Sequence, residues 1–393
     1  MAFELNRDTS VTMPTRFHTH AVDATPRLIG SEIYRHSSYG DWHPLRVPRV
    51  STVLDLTRSM GWLPVGQYIN SPRAKPATLV GFHTADYIAA LVQAEAEGTV
   101  TDAVKARHAL GTPSNPVFPE MFRRPATSAG AALLAGELLR DGGVIYAPGC
   151  GTHHALPDQA NGFCYLNDPV LAIQSLRRDG AARIAYVDID AHHCDGVAVA
   201  FADDPQALLI STHEDGRWPR TGALSDAGIG NMINIPMPAG CNDDDMALVR
   251  DAVILPAVAS FRPDAIVLQC GADAVTEDPQ SRMTLSNGAL WAVVAALRPL
   301  SPRYVVTGGG GYNPWSVGRA WAGVWATLNG ADIPDELPEP ARNILANLTW
   351  TDPNRTRTPD PHWITTLADR PRGGPIHDDV RTRVDVLRKR LRA

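Results

Sequence analysis

Residues 184–195 read Ile-Ala-Tyr-Val-Asp-Ile-Asp-Ala-His-His-Cys-Asp, so a short apolar run passes directly into acidic and histidine side chains. Short apolar runs of this kind are typical of strands that are buried on both faces of a sheet. In extended backbone, residues i, i+2 and i+4 point to the same side, so Asp188, Asp190 and His192 are predicted to share one space. Neighbouring carboxylates repel each other unless a cation or a shared proton lies between them, and a divalent metal ion would supply that charge.

Similar apolar runs recur along the chain and predict the other strands of the same sheet. They span residues 144–147, 207–210, 232–235, 265–268 and 304–306. Helical segments are predicted at residues 49–59, 126–139, 166–178, 244–260 and 286–297. This alternation of strands and helices predicts a single-domain α/β fold, in which a doubly wound, mostly parallel sheet carries helices on both faces.

Reactive side chains follow five of these predicted strands, at the point where each strand ends. They are His153 and His154, the acidic and histidine residues of 188–195, Ser211 to His213, Asp273, and Tyr312 after a run of four glycines. The carboxyl ends of parallel strands meet at one edge of a sheet, and open α/β sheets bind their ligands there. The sequence therefore predicts a functional site at this edge.

Asp190, His192 and Asp273 could supply three ligands to a metal ion at the same edge. Two carboxylates and an imidazole suit Zn²⁺ or Fe²⁺, and three protein ligands with one open position are typical of a catalytic zinc site. Considered singly, Asp188 is more simply a capping carboxylate at a strand end, and His192 a buried histidine with satisfied hydrogen bonds. Their occurrence together favours the metal site.

The adjacent His153 and His154 lie in a glycine-rich loop and suggest a proton-transfer pair. Each imidazole would need a carboxylate behind it to fix its tautomer, and Asp188 and Asp195 are the candidates. The spacing leaves open that both histidines only bond the loop backbone. Tyr312 could donate its hydroxyl toward a polarised oxygen, or could be a packed aromatic with a solvated tip.

The overall composition argues against several classes of protein. The 393 residues include 36 Lys and Arg against 42 Asp and Glu, a net charge of −6, which argues against direct binding of nucleic acid. No apolar run reaches the roughly 18 residues of a membrane span, and no basic-then-apolar leader is present, so we expect no membrane contact and no secretion. Five cysteines without a Cys-x-x-Cys motif are typical of a cytoplasmic protein.

The pattern along the chain divides it into three parts. Residues 1–30 are predicted as an N-terminal extension, residues 31–350 as the main domain, and residues 351–393 as a C-terminal tail. The tail ends in a basic amphipathic stretch, residues 380–391, which we expect to be a terminal helix packed on the domain.

Five segments form a recognisable set: residues 152–155 (Thr-His-His-Ala), 162–168 (Gly-Phe-Cys-Tyr-Leu-Asn-Asp), 188–196, 271–273 (Gly-Ala-Asp) and 308–312 (Gly-Gly-Gly-Gly-Tyr). In this order they resemble the zinc-dependent histone deacetylase family of the arginase/deacetylase superfamily, and most closely its bacterial acetoin-utilization branch. Weaker matches at 43–49, 83–87 and 111–118 extend the resemblance over roughly residues 30 to 330. The resemblance implies a metal-dependent amidohydrolase that removes acetyl or other short acyl groups from acyl-lysine in proteins or peptides, or from small acylated amines.

The resemblance also implies a role for each matching residue of the reaction centre. Asp190, His192 and Asp273 match the zinc ligands, with Fe²⁺ as an alternative ion. His154, backed by Asp195, matches the general base and acid, and His153, backed by Asp188, matches its electrostatic neighbour. Tyr312 matches the hydroxyl that polarises the carbonyl group.

Further matches surround this centre. Phe163 and Trp218 match the walls of the acyl-lysine channel, Gly162 its narrow floor, and Gly310 a further position at the substrate. Arg49 matches an arginine at the acetate exit. A structural K⁺ ion is implied at the carbonyl groups of Asp188, Asp190, His192 and Thr212 with Ser211 Oγ, and a second such ion is implied near Phe201.

Three departures from the family pattern bear on the substrate. Cys194 stands where the family usually has Gly, which could reposition Asp195, and Trp218 replaces a usual Phe. Ser114 aligns with the rim Asp that clamps a peptide backbone in relatives. An acetylpolyamine amidohydrolase and, in a different class, a catalytically silent acyl-lysine-binding module therefore stay open. A dinuclear manganese ureohydrolase is disfavoured, because it needs a carboxylate at position 194.

Overall fold

The computed structural model describes residues 25–352 and 355–392, and its centre is a sheet of eight strands. The strands are β1 Arg27–Gly30, β2 Tyr68–Asn70, β3 Gly143–Ala147, β4 Ile184–Asp188, β5 Ala207–Glu214, β6 Met232–Met237, β7 Ala265–Gln269 and β8 Arg303–Thr307. They lie in the order β2-β1-β3-β8-β7-β4-β5-β6, and every neighbouring pair is parallel. A short antiparallel pair, β9 Thr351–Asp352 and β10 Arg355–Thr356, lies apart from this sheet.

Helices cover both faces of the sheet. They are α1 Ile33–His36, α2 Val50–Ser59, α3 Pro76–Leu79, α4 Ala85–Glu97, α5 Asp102–His108, α6 Arg123–Leu138, α7 Asp168–Arg178, α8 Asp195–Phe201, α9 Asp243–Val249, α10 Leu255–Phe261, α11 Asn287–Leu297, α12 Pro314–Asn329, α13 Glu339–Ala346, α14 Pro361–Thr365 and α15 Asp378–Arg392, with 3₁₀ turns at Pro44–Arg46 and Arg298–Leu300. One apolar core, with α2, α11 and α12, packs on one face, and a second, with α4, α6 and α7, packs on the other. The predicted doubly wound parallel fold is confirmed.

The strand order explains where a site can form. The chain builds β4, β5 and β6 outward on one side, then returns to place β7 and β8 between β3 and β4. The ends of β4, β7 and β8 therefore lie side by side, and the register pairs Asp188 with Gln269 and Gln269 with Thr307. Loops that leave these three strands meet at the carboxyl edge of the sheet.

The two strands β1 and β2 were not predicted, because they are only four and three residues long and lie among prolines. Arg27–Gly30, assigned to the N-terminal extension from the sequence, is a strand of the central sheet and pairs with β3 through Arg27 and Ile145. Residues 1–24 lie outside the described residues.

Several helical regions also differ from the prediction: α1, α3, α4, α5, α8, α13 and α14 lie outside the predicted segments. Two further differences have a clear physical reason. The helix predicted at 244–260 is divided into α9, a π-helical turn at Arg250–Ile254, and α10. Pro256 explains the interruption, because it has no N–H to donate to the preceding turn. Helix α12 was not predicted, because almost every side chain in it is buried and it has no polar face to produce a period of 3.6 residues.

The C-terminal helix α15 packs on the main body of the protein. Val380, Val384 and Leu387 lie one helical turn apart and are buried in the core that contains β6. Among the described residues, no helix has both the length and the apolar composition needed to cross a bilayer.

Candidate metal centre and catalytic site

Two carboxylates and an imidazole converge at the carboxyl edge of the sheet. Asp190 and His192 follow β4 by two and four residues, and Asp273 follows β7 by four. One candidate ligand atom from each residue lies within 4.8 Å of the others, and all three side chains are buried. His192 Nδ1 lies 2.9 Å from Asp273 Oδ2 and 3.2 Å from Asp190 Oδ1. The three residues could hold one divalent ion, because two carboxylates in a buried space need a positive charge between them.

Backbone groups fix the two carboxylates of this set. Gly310 N–H donates to Asp190 Oδ2 at 2.7 Å, and Ala191 N–H donates to Asp273 Oδ1 at 3.0 Å. Position 310 has no room for a side chain, since a Cβ there would lie 1.9 Å from Asp273 Oδ2. Gly310 therefore binds one carboxylate through its backbone and leaves space for the other, and it lines a small inner cavity.

Two histidine–aspartate pairs lie beside the metal-ligand candidates. His153 Nδ1 is 2.7 Å from Asp188 Oδ2, and His154 Nδ1 is 2.6 Å from Asp195 Oδ1. The two imidazole centroids are 3.9 Å apart. A carboxylate can only accept, so each Nδ1 carries the hydrogen and each Nε2 of a neutral ring is left as an acceptor.

The surroundings of the two histidines shift their pKa values in opposite directions. Burial and the neighbouring His153 lower the pKa of His154 to about 4, so its imidazole is neutral at neutral pH. Burial also opposes charge on His153, but the Asp188 and Asp190 carboxylates outweigh it and raise the pKa of His153 to about 9. The neutral His154 ring can accept a proton, whereas the carboxylates around His153 favour its protonated form, and this contrast suits acid–base work.

Three polar groups that support the site were not predicted from the sequence. Tyr186 donates its hydroxyl to Asp188 Oδ2 at 2.5 Å, and Asn161 Nδ2 donates to Asp195 Oδ2 at 3.0 Å. Asp278 Oδ2 accepts the Tyr312 N–H at 2.7 Å. The sequence offered a signal for Tyr186, since it lies two residues before Asp188 on the same face of β4.

Tyr312 stands between two cavities at the site. Its side chain is buried, its ring centroid lies 5.9 Å from that of Phe163, and it lines both the outer cleft and the inner cavity. Burial and the neighbouring Asp273 raise the pKa of Tyr312 well above its usual range. The hydroxyl therefore keeps its proton and can act as a hydrogen-bond donor.

A cleft of about 710 Å³ leads from the surface to this centre. Gly162, Phe163 and Trp218 line it, together with His154 and His192. The Trp218 indole meets the His154 ring at 4.6 Å between centroids, and a Cβ at Gly162 would lie 2.2 Å from that indole. The predicted channel residues are thus brought together, and Gly162 is needed for the close approach.

An inner cavity of about 40 Å³ lies on the far side of the same histidines. Arg49, predicted near an exit for acetate, lines it. Its Nη1 donates to Gly309 O at 2.6 Å, and its guanidinium lies 5.1 Å from the Trp321 ring centroid. Arg124, which was not singled out from the sequence, lines this cavity as well.

Three of the residues predicted to hold K⁺, Asp188, Ser211 and Thr212, lie next to one another across β4 and β5. The strand register pairs Asp188 with Ser211, and Thr212 Oγ1 is 3.4 Å from Asp188 O. Ser211 Oγ is also 3.0 Å from His213 Nδ1. Phe201, suggested near a second ion, is the last residue of α8.

Two departures from the family pattern can be located. Cys194 is buried with φ of −79°, so its side chain imposes no left-handed backbone strain. Asp195 beside it keeps its bond to His154 and is not moved away from the pair. Ser114 is exposed and lines the outer cleft, at its rim.

The fold and the site together define an α/β protein with a candidate mononuclear metal centre flanked by two histidine–aspartate pairs. The histone deacetylase domain family matches residues 43–328. The chain is 31% identical over 355 residues to the acetoin utilization protein AcuC of Bacillus subtilis (strain 168), covering 85% of this chain and 92% of that protein. It is 32% identical over 304 residues to histone deacetylase 8 of Xenopus tropicalis, covering 75% of this chain and 82% of the relative.

Solved structures agree with these relatives. The crystal structure of an HDAC homolog from Aquifex aeolicus has a TM-score of 0.88 at 34% identity and covers 93% of this chain and 100% of its own. The structure of an HDAC homolog complexed with SAHA has a TM-score of 0.86 at 33% identity, with the same coverage. The chain therefore belongs to the histone deacetylase family, close to AcuC, and has the arginase/deacetylase-like fold expected from its motifs.

Proposed function

We propose that this protein is a zinc-dependent deacetylase that hydrolyses acetyl or other short acyl groups from the ε-amine of lysine in proteins or peptides, or from small acylated amines. One observation carries the proposal: the buried Asp190–His192–Asp273 set lies beside a cleft that His154, His192 and Tyr312 line together with the aromatic side chains of Phe163 and Trp218. We assign the aliphatic chain of the substrate to these two aromatic side chains. Membership of the histone deacetylase family supports the same reaction.

The proposed ligands are Asp190, His192 and Asp273, with Zn²⁺ as the ion and Fe²⁺ as the alternative. Their donor set of two carboxylate oxygens and one imidazole nitrogen supports this choice. A divalent ion bound there would polarise the acyl carbonyl and lower the pKa of a water molecule.

His154 is the proposed general base and then general acid. Its Nδ1–H is held by Asp195, so Nε2 takes a proton from the attacking water as the water oxygen adds to the carbonyl carbon. The same Nε2 then returns that proton to the amine nitrogen as the C–N bond breaks, which gives a carboxylic acid and an amine. Transfer of the acid's remaining proton to the amine gives the carboxylate and ammonium products. Positioned groups of this kind contribute on the order of 10²–10⁴-fold to the rate. The positive charge on His153, balanced by Asp188, stabilises the negative charge that develops next to it.

Other residues receive supporting roles. Tyr312 donates its hydroxyl to the developing oxyanion, while Phe163 and Trp218 hold the aliphatic part of the substrate. We assign the inner cavity, which Arg49 and Arg124 line, to receiving acetate after cleavage. The K⁺ proposal for the Asp188, Ser211 and Thr212 region rests on the family resemblance and on their adjacency across β4 and β5.

Replacing Tyr312 with phenylalanine is expected to lower kcat on an acetyl-lysine peptide by about 10²–10³-fold, the effect of losing one oxyanion donor. Zinc content should stay unchanged, because the hydroxyl is not a proposed ligand. Steady-state kinetics and elemental analysis measure the two quantities. Tyr68→Phe, on the edge strand β2, is the matched control. Turnover of Tyr312→Phe close to that of the unchanged protein would contradict the role.

The proposed function itself is tested with a substrate panel assayed with and without a chelator. Acetyl-lysine peptides, acetylpolyamines and longer acyl-lysines make up the panel. We expect chelator-sensitive release of acetate from the acetyl-lysine peptides. A preference for acetylpolyamines would identify an acetylpolyamine amidohydrolase instead. Metal-bound protein that is inactive on every member would identify a silent binding module.

We further propose that the protein works in the cytoplasm. All five cysteines are buried and unpaired, as expected where thiols are kept reduced.

A further inference from the structure

The mouth of the cleft carries more arginines than acidic side chains. The charged side chains that line the cleft there are Glu214, Asp215, Arg217, Arg220 and Arg282. They come from the end of β5 and the loop after it, and from the loop that follows β7. What a substrate meets at this mouth depends on which of these charges are already paired.

Both acids are already bound to arginines. Arg217 makes a two-point contact with Glu214, with Nε to Oε2 at 2.5 Å and Nη2 to Oε1 at 3.0 Å. Glu214 Oε2 also accepts the backbone N–H of Arg282 at 2.7 Å. Asp215 Oδ2 is bound by Arg383 Nη2 at 2.6 Å, a contact that comes from α15. Each carboxylate therefore has a guanidinium beside it that offsets its attraction for a cationic substrate.

Arg220 and Arg282 have exposed side chains that line the same cleft. Within residues 25–352 and 355–392, neither guanidinium forms an ion pair. Their backbones are nevertheless fixed: Arg220 N–H donates to Arg217 O at 2.7 Å, and Arg282 O accepts the Gly240 N–H at 2.7 Å. The mouth therefore presents two free positive charges from anchored positions.

Arg220 lies two residues after Trp218, the proposed channel wall, so its charge stands next to the point where the aliphatic chain enters. A substrate held by Phe163 and Trp218 would leave its backbone or headgroup at this mouth. Carboxylates there would meet the two free guanidinium groups, and ammonium groups would be repelled.

We propose that Arg220 and Arg282 select amides in which the amine half carries a carboxylate, that is, acyl-lysine presented next to acidic groups. The inference rests on the proposed deacetylase function and deepens it by naming the substrate class. It sets acidic acyl-lysine substrates above acetylpolyamines and above acetyl-lysine in a basic sequence.

A minimal pair of substrates tests this. Nα-acetyl-Nε-acetyl-lysine and its C-terminal amide differ only in one carboxylate, and acetyl-lysine peptides flanked by Asp or by Lys extend the comparison. We expect kcat/KM to be higher for the acid than for the amide, through a lower KM, and higher for the Asp-flanked peptide than for the Lys-flanked one. Arg220→Gln and Arg282→Gln should each reduce these preferences about two- to fivefold, the range of an exposed ion pair, and the double variant should abolish them. Raised ionic strength should weaken the preference in the unchanged protein.

Arg262→Gln is the matched control. Arg262 is exposed and precedes β7 at the opposite edge of the sheet, so this variant has the same charge change without touching the cleft. Its substrate preference should equal that of the unchanged protein. Equal kcat/KM for the acid and the amide, a preference for cationic substrates, or preferences that survive in the double variant would each overturn the proposal.

A binding measurement separates this inference from the proposed function. Fluorescence anisotropy of labelled Asp-flanked and Lys-flanked acetyl-lysine peptides reports affinity whether or not the peptides are cleaved. If no substrate is hydrolysed, the deacetylase proposal fails, while tighter binding of the Asp-flanked peptide that is lost in the double variant still supports charge selection. Hydrolysis without a charge preference would leave the deacetylase proposal standing and refute the roles of Arg220 and Arg282.

Discussion

Replacing Asp273 with alanine is expected to give a folded protein that has lost most of its bound zinc. The substitution removes one of three proposed ligands, the only one contributed from the end of β7. Loss of a partner that merely orients a ligand costs about 10–100-fold in metal affinity, so removal of a ligand itself should cost more. Elemental analysis of protein purified with added zinc, compared with the unchanged chain, measures the effect.

Folding is checked on the same sample by thermal unfolding and circular dichroism. The protein should remain folded, because the change relieves the repulsion between the buried Asp273 and Asp190 carboxylates and costs only local contacts, those of Asp273 with the Ala191 N–H and with His192. Asp385→Ala, at an exposed position of α15, is the matched control and should keep its zinc. A full equivalent of zinc in Asp273→Ala would remove this residue from the proposed ligand set.

Replacing His154 with alanine is expected to lower kcat by about 10²–10⁴-fold, the contribution of a positioned acid–base group. The protein should keep its zinc, because His154 is directed by Asp195 and is not a proposed ligand. Kinetics on an acetyl-lysine peptide and elemental analysis on the same preparation separate loss of chemistry from loss of metal.

His36→Ala provides the control for this second prediction, since His36 is exposed at the end of α1. Its turnover should match that of the unchanged protein. If His154→Ala turned over substrate at a similar rate, proton transfer would have to be assigned elsewhere, and His153 would be the next candidate.

The sheet was predictable wherever its strands are continuous apolar runs. The predicted strands at 144–147, 184–187 and 265–268 lie within a residue of the observed β3, β4 and β7, because burial on both faces leaves a clear pattern. β1 and β2 are only a few residues long, and their formation depends on pairing in the sheet, β1 with β3 and the edge strand β2 with β1, and not on their own sequence. Helix α12 was not predicted because it is buried on all sides and therefore shows no alternation between apolar and polar faces.

The ligand candidates were predictable because alternation in a strand places Asp190 and His192 on one side, and because parallel strand ends meet. Groups that support the site through contacts distant in sequence were not predictable. Asn161 supports Asp195, and Asp278 holds the Tyr312 backbone, only through loops brought together by the fold. The charge of the cleft mouth was also not predictable, because the sequence shows which acids are present but not which arginines neutralise them.

The contact between Arg383 and Asp215 lets the end of the chain help to set the charge of the cleft mouth, because it partly neutralises a carboxylate that lines the cleft. Helix α15 lies beyond residue 328, where the match to the shared domain stops. A change in this terminal helix would therefore alter the charge at the cleft mouth without touching any residue of the candidate metal centre.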